Sequence, residues 1–343
     1  MSTEQEKHKI KRAKTGAFVR PATKFHDQIT SSGEGKYPAE SGRYRLYVSY
    51  ACPWAHRTLI TRTLKGLENA ISLTVTGYRL DNLDFKENFD AYRGWDFVKT
   101  DDKNSVHYEP HGFELIDQLY EHAHPGYRKE FQDQGKRPYY SVPVLFDEKT
   151  QTIVSNESAE IIKMFNSEFN EFAKNPDLEL NPQKEKVQQE MERVDSIIYP
   201  YINDGVYRMG FARTQEAYEH AYEDHWRTMD EIETLLGTRR YLCGSQLTLS
   251  DIRLFVTMIR YDPVYYSHFK GSRNKITEMP NLYRHLRDVY QLSGVANTVN
   301  IEHIVKHYYG SQKMVNPTGV YPLGALKKGV LDHLKNPIEI SNL

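Results

Sequence analysis

Between about Tyr44 and Phe169 the spacing of apolar residues switches repeatedly between the strand and the helix period. Arg45-Leu46-Tyr47-Val48-Ser49-Tyr50 is rich in β-formers and predicts a strand. Pro53 to Gly66 has helical spacing and closes on a glycine, a helix-stop signal. Ile71 to Thr76 alternates with period two, as a strand does. A polar stretch from about Tyr78 to His111 comes next. Phe113 to Ala123 then returns to helical spacing, with Phe113, Ile116 and Tyr120 on one face. Val142–Phe146 and Gln151–Val154 read as a hairpin around Asp147-Glu148-Lys149-Thr150. A helix starts near Glu157 and runs through Ile161, Ile162 and Phe165.

Two strands joined through a helix pair in parallel, whereas two joined by a tight turn pair antiparallel. The order βαβ, helix, two strands, helix is that of a thioredoxin-like domain. After Asn170 the pattern changes. Asn175-Pro176 and Asn181-Pro182 punctuate a linker. Helical spacing then dominates to about His307 and predicts a bundle of five or more helices. The clearest start is Thr248-Leu249-Ser250-Asp251 ahead of Ile252, Leu254, Phe255, Met258 and Ile259, a capping box in which Asp251 reaches back to the Thr248 amide. From Ser311 the chain carries Pro317, Gly319, Pro322 and Gly324 and reads as irregular. The expected organisation is an N-terminal extension over 1–40, a thioredoxin-like domain of α+β type over 41–170, an all-helical domain over 183–310 and a tail over 311–343.

Composition narrows the class. A chain of 343 residues with 39% hydrophobic and 27% charged residues has material for two cores. A net charge of −1 argues against a general nucleic-acid partner. No apolar run approaches the ~20 residues that span a bilayer, so no membrane partner is expected. Met1 to Arg20 is basic and polar, but Glu4 and Glu6 speak against a mitochondrial address and no apolar core speaks for secretion. The segment reads as a mobile tail. Two cysteines, Cys52 and Cys243, cannot build a disulfide framework. A reducing compartment, the cytoplasm, is therefore expected, where the acceptor-like string Asn156-Glu157-Ser158 carries no sugar.

Three short motifs carry chemistry. Cys52 lies where a strand hands over to a helix, followed by Pro53, which suits the first helical turn. Unpaired amides at a helix start favour a thiolate by up to about 2 kcal/mol, and reactive cysteines occupy such positions. A buried cysteine elsewhere is usually a small core hydrophobe, which is the reading given to Cys243. Three residues after Cys52 stands Ala55, so no Cys-x-x-Cys disulfide closes, and a second thiol must come from solution. In Ser141-Val142-Pro143-Val144, a proline opening a strand is either an ordinary edge residue or the cis proline that faces a thioredoxin-like cysteine. In the second case Val142 offers its backbone to the cysteinyl unit of glutathione as an added strand. Glu157 and Ser158 open a helix; they are either simple caps or the site of the γ-glutamyl end, Ser158 and the helix amides taking its carboxylate and Glu157 its ammonium group. His303 and His307 have metal-ligand spacing but lack a His-Glu-x-x-His motif, so a packed or solvated face is the expected reading. No phosphate loop appears, and neither a metal nor a nucleotide cofactor is expected.

These motifs in this order, followed by a helical domain with Thr248-Leu249-Ser250-Asp251, resemble a glutathione transferase. Cys52-Pro53-Trp54-Ala55-His56-Arg57, Gly94-Trp95-Asp96-Phe97, Thr152-Ile153-Val154 and Asn156-Glu157-Ser158 are similar to the xi class, the glutathionyl-hydroquinone reductases. So are Tyr201 to Tyr207, Asp262-Pro263-Val264-Tyr265, Thr298-Val299-Asn300, His307-Tyr308-Tyr309 and Asn316-Pro317-Thr318. The resemblance covers roughly Tyr44 to Gly324. It implies that Cys52 attacks the sulfur of a glutathionyl-hydroquinone, releases hydroquinone and holds a mixed disulfide that a second glutathione resolves. It implies that Trp95 stacks on glutathione, that Val142, Pro143, Glu157 and Ser158 hold it, and that Tyr207, Tyr265 and Tyr308 line an aromatic pocket. Glutathione is then a co-substrate and the protein a homodimer. Two departures stand out. Tyr139 occupies a position where the family carries arginine, with Arg137 as the expected substitute, and the segment from Leu80 to Tyr92 is longer than usual. An omega-like thioltransferase or dehydroascorbate reductase is the neighbouring reading, and a non-catalytic interaction module the third.

Overall fold

The computed structural model describes residues 16–81, 92–97 and 109–338. They divide into two compact units. The first holds residues 20–176 and 302–321, the second 177–301 with the described parts of 12–19 and 322–343.

The first unit opens with a short parallel pair, β1 (Ile29–Thr30) and β2 (Tyr37–Pro38). β3 (Tyr44–Val48) buries every residue but Arg45, which suits its aromatic and branched side chains. α1 (Pro53–Lys65) follows and stops at Gly66, whose φ of 67° is the left-handed conformation glycine adopts without steric cost. β4 (Ile71–Val75) then pairs parallel with β3, Tyr44 opposite Ile71. A two-residue ribbon, β5 (Leu80–Asp81) with β6 (Gly94–Trp95), occupies the ends of the polar stretch. α2 (Ile116–Ala123), α3 (Tyr127–Asp133), β7 (Val144–Asp147), β8 (Thr152–Ser155) and α4 (Ser158–Ser167) complete the set. The sheet order is β4-β3-β7-β8, with β7 antiparallel to both neighbours. This is the thioredoxin-like arrangement that the spacing predicts, with strand ends moved by one or two residues. α3 is not predicted, because its only apolar residues are Tyr127 and Phe131. Most of the lengthened segment before Trp95 lies outside the described residues.

α1 has little apolar periodicity, yet both its faces are buried against α4 and the sheet. Its polar side chains therefore bond to carbonyls. Arg62 Nε donates to Ile71 O at 2.8 Å, Lys65 Nζ to Pro176 O at 3.1 Å and Thr61 Oγ1 to Arg57 O at 2.9 Å. Buried polar groups left without such partners are costly.

The second unit is helical. α5 (Glu185–Ile197) runs into a π-helical turn, Ile198–Asn203, and then α6 (Gly205–Gly210). α7 (Gln215–Leu236) is capped by Thr214, whose hydroxyl accepts from Ala217 N at 3.2 Å. α8 (Leu249–Arg260) leads into a second π turn, Tyr261–Tyr265, and α9 (Pro280–Tyr290) follows. Both π turns contain a proline, Pro200 and Pro263. A proline inside a helix clashes with the carbonyl four residues back, and a wider turn relieves it. The amides beyond reach back five residues, Asp204 N to Tyr199 O and Tyr266 N to Tyr261 O, each at 2.8 Å. The last helix, α10 (Ile301–Ser311), belongs from Glu302 onward to the unit of the sheet. Among the described residues no helix is long and apolar enough to cross a membrane.

Residues 16–20 are placed rather than loose. Phe18 packs against Phe211 with ring centroids 5.3 Å apart, and the Arg20 guanidinium lies 4.6 Å from the centre of the Trp54 ring. The remainder of the predicted tail, residues 1–15, lies outside the described residues.

Candidate active site

Cys52 is the N-cap of α1, in extended conformation, with Pro53 the first helical residue. The turn before it is closed by Cys52 N donating to Ser49 O at 3.1 Å. The thiol is half-buried, and its Sγ donates to Val142 O at 3.4 Å. The Val142–Pro143 bond is cis. Sequence positions separated by 90 residues therefore meet at one sulfur atom. The ring of Trp54, two residues on, receives the guanidinium groups of both Arg20 and Arg57, at 4.6 and 4.3 Å from its centre.

The segment that carries Val142 and the Glu157 turn are tied together by Asn156. Its Nδ2 donates to the Tyr120 hydroxyl at 3.0 Å and to Ser141 Oγ at 3.3 Å, and its Oδ1 accepts from Phe25 N at 3.1 Å. Glu157 caps α4, one carboxylate oxygen accepting from Ala159 N at 3.1 Å. Its other oxygen accepts from Thr23 Oγ1, also at 3.1 Å. Ser158 follows as the first, buried residue of the helix. Cys52, Val142, Pro143, Glu157 and Ser158 thus occupy connected positions within one unit.

Trp95 stands on β6 in the same unit. Gly94 before it has a φ of 82°, and a Cβ there would come within 2.6 Å of Ile116 Cγ2 and 3.0 Å of Tyr140 Cβ. Only glycine lets the ribbon pass so close to the segment that leads to Val142. The buried Trp95 indole faces His307 of α10 at 4.7 Å. His307 Nδ1 donates to Tyr78 O at 3.0 Å, and Ser311 Oγ accepts from Leu80 N at 3.2 Å. α10 therefore clamps both strands of the ribbon. His303 is buried between the rings of Tyr50 and Tyr78, at 5.5 and 5.7 Å. The two histidines pack on aromatic rings, and the described residues hold no cluster of three or more metal-ligating groups.

Arg137 stacks over the Tyr92 ring at 4.0 Å. Tyr139 is hydrogen-bonded by Arg20; burial holds its phenol above the ordinary value, with the charges of Arg20, Cys52 and Arg137 among the lesser influences. A cation from the N-terminal extension thus reaches the position where the sequence has tyrosine.

Tyr308, on α10, is buried, its ring 5.1 Å from that of His307. Tyr207 and Tyr265 lie together in the second unit, ring centres 6.1 Å apart. Phe269 stacks on Tyr265 at 5.4 Å and packs on Tyr207 at 5.3 Å. Tyr265 belongs to one π turn and Tyr207 follows the other. Cys243 is half-buried rather than core, and burial pushes its thiol up to about 11, which makes it a poor nucleophile at neutral pH.

Arg20, Thr23 and His307 are the contributors that motif reading does not supply. Each acts across a long sequence separation; for His307 the metal-like spacing and the His307-Tyr308-Tyr309 string are signals, but neither points to a contact with Trp95.

Residues 51–168 match the family model for the glutathione S-transferase N-terminal domain, and 215–288 that for the C-terminal domain. Over 317 residues the chain is 43% identical to the glutathionyl-hydroquinone reductase YqjG of Escherichia coli, covering 90% of this chain and 89% of that protein. The xi glutathione transferase structure from Phanerochaete chrysosporium aligns with a TM-score of 0.83 at 38% identity, covering 96% of this chain and 97% of the other. The glutathione-bound structure of YqjG aligns with a TM-score of 0.76 at 42% identity, over 87% and 92% of the two chains.

Proposed function

The chain belongs to the glutathione S-transferase family, in its xi class, and from that premise we propose that it reduces glutathionyl-hydroquinones with Cys52 as nucleophile. The observation that carries the reading is the Cys52 sulfur at a helix N-terminus, 3.4 Å from the carbonyl of Val142. The thiolate attacks the sulfur of the adduct. The bond from that sulfur to the ring breaks, its electron pair goes to the ring carbon with a proton, and hydroquinone leaves. Cys52 is left as a mixed disulfide with glutathione. A second glutathione thiolate attacks the glutathione sulfur of this disulfide, oxidised glutathione leaves and Cys52 returns as thiolate. The adduct is reduced by two electrons and two glutathione units are joined.

In this reading Val142 pairs with the cysteinyl backbone as an added strand. Glu157 takes the ammonium group of the γ-glutamyl end, and Ser158 with the α4 amides takes its carboxylate. Trp95 packs against the tripeptide, and Arg137 adds a cation. Tyr207, Tyr265 and Tyr308 take the aromatic ring and its hydroxyls, a role that suits an apolar face with a polar tip. We place the protein in the cytoplasm, where thiols stay reduced, as a homodimer.

The test offers the protein a glutathionyl-hydroquinone, a simple glutathione mixed disulfide and dehydroascorbate, each with glutathione. Release of free hydroquinone, lost in Cys52→Ser, is the expected result. Activity confined to the other two substrates would replace this reading with an omega-like thioltransferase.

A further inference from the structure

Residues 20–27 run alongside β8 and the start of α4. Asp27 N donates to Val154 O at 3.0 Å, Asn156 N to Phe25 O at 3.2 Å and Phe25 N to Asn156 Oδ1 at 3.1 Å. His26 Nδ1 lies 2.9 Å from Glu160 Oε1, and Ser155 Oγ donates to the other oxygen of Glu160 at 3.0 Å. The family model for the N-terminal domain begins only at residue 51, so this segment lies outside it. Within it, the Thr23 hydroxyl donates to Glu157 Oε2 at 3.1 Å and lies 3.4 Å from His26 Nε2.

We propose that Thr23 is a positioning residue that fixes the Glu157 carboxylate and thereby sets selectivity for the γ-glutamyl end of glutathione. The inference rests on the glutathione reading above. An ionised carboxylate offers about four lone-pair directions on two oxygens. One oxygen is held by Ala159 N and the other by Thr23 Oγ1, each at 3.1 Å. A carboxylate pinned at both oxygens cannot rotate about its terminal bond, so its remaining lone pairs keep fixed directions. A primary ammonium group meets such an acceptor without ordering it first, and the entropy of ordering is not charged against binding. Both of these donors are neutral, one an N–H and the other an O–H. A thiol that lacks the γ-glutamyl unit gains nothing from this arrangement.

The experiment titrates S-methylglutathione and S-methyl-cysteinylglycine, which lacks the γ-glutamyl unit, into the full-length wild type, Thr23→Val and Thr23→Ser. Thr23→Val keeps the shape and removes the hydroxyl. The expected result is a Kd for S-methylglutathione weakened about tenfold, the range for a hydrogen bond to a charged group. Thr23→Ser is expected to stay within about twofold of wild type, and the Kd for S-methyl-cysteinylglycine to be the same in all three. In turnover, the KM for glutathione rises in Thr23→Val while kcat at saturation holds. Where Thr23→Val melts early, Thr23→Ala repeats the measurement without the second branched methyl. Unchanged affinity in the variants, or an equal loss for both ligands, would overturn the inference while leaving the glutathione reading intact. Failure of the wild type to bind S-methylglutathione would overturn that reading and the inference together.

Discussion

Cys52→Ser tests the chemistry most directly. Serine cannot form the mixed disulfide, and turnover is expected to fall by at least about a hundredfold, within the range typical for loss of an essential group. A loss of less than tenfold would sink the mechanism. Tyr207→Phe removes one hydroxyl from a ring that packs on Tyr265 and Phe269. It is expected to slow hydroquinone release more than it weakens glutathione binding, read by comparing single-turnover release with a glutathione titration; an unchanged rate would remove Tyr207 from the site. The position of Cys52 was legible because its determinants are local: a strand, a proline and a helical pattern within a few residues. Thr23 and Arg20 were not, since a threonine in a polar stretch announces nothing until Glu157 and Trp54 are beside it.

Among the elements, α8 depends on a single side chain. Asp251 accepts from Thr248 N, Leu242 N and His285 Nε2 at 2.8, 2.8 and 2.9 Å, and it is fully buried. Asp251→Ala strands these buried donors and is expected to cost roughly 3 kcal/mol or more, seen as a lower urea midpoint. The β5–β6 ribbon depends on Gly94. An alanine there meets both a left-handed φ and the contacts with Ile116 and Tyr140, so Gly94→Ala is expected to cost at least about 1 kcal/mol. It should also alter the fluorescence of Trp95; an unchanged spectrum and stability would contradict the tight passage described. The capping box of α8 was readable because its four residues are contiguous. The π turns were not, for a proline within helical spacing ordinarily signals an end, and only the five-residue hydrogen bonds show the helix continuing. α1 was read correctly from its ends although its burial was hidden, because carbonyls from other segments receive its charged side chains.

On the scale of the whole molecule, one buried histidine links stability to pH. In the second unit His225 is fully buried, stacked on Tyr261 at 5.6 Å, with Nδ1 donating to Tyr201 O at 2.8 Å. Burial pushes its pKa down to about 4, from an ordinary 6.5. The folded state keeps the ring neutral while the unfolded chain takes up a proton below about 6.5. Its contribution is therefore intact above that pH and declines by about 1.4 kcal/mol for each pH unit from there toward 4. The urea midpoint of the wild type should fall between pH 7 and 5 more steeply than that of His225→Asn; equal slopes would show that another group carries the dependence. The fold class was legible from the alternation of periods. The return of 302–321 to the unit of the sheet was not, since a helix's spacing tells which face is apolar but not which partner covers it.

That return has a consequence for synthesis. Tyr78 and His307, which meet at the ribbon, are 229 positions apart. A nascent chain can assemble β3, α1 and β4 early, because their contacts are close in sequence. The clamp on Trp95 forms only when almost the entire chain has left the ribosome. On the growing polypeptide Cys52 therefore reaches its helix long before α10 arrives to hold the β5–β6 ribbon, so the thiol is made early and the clamp on Trp95 late.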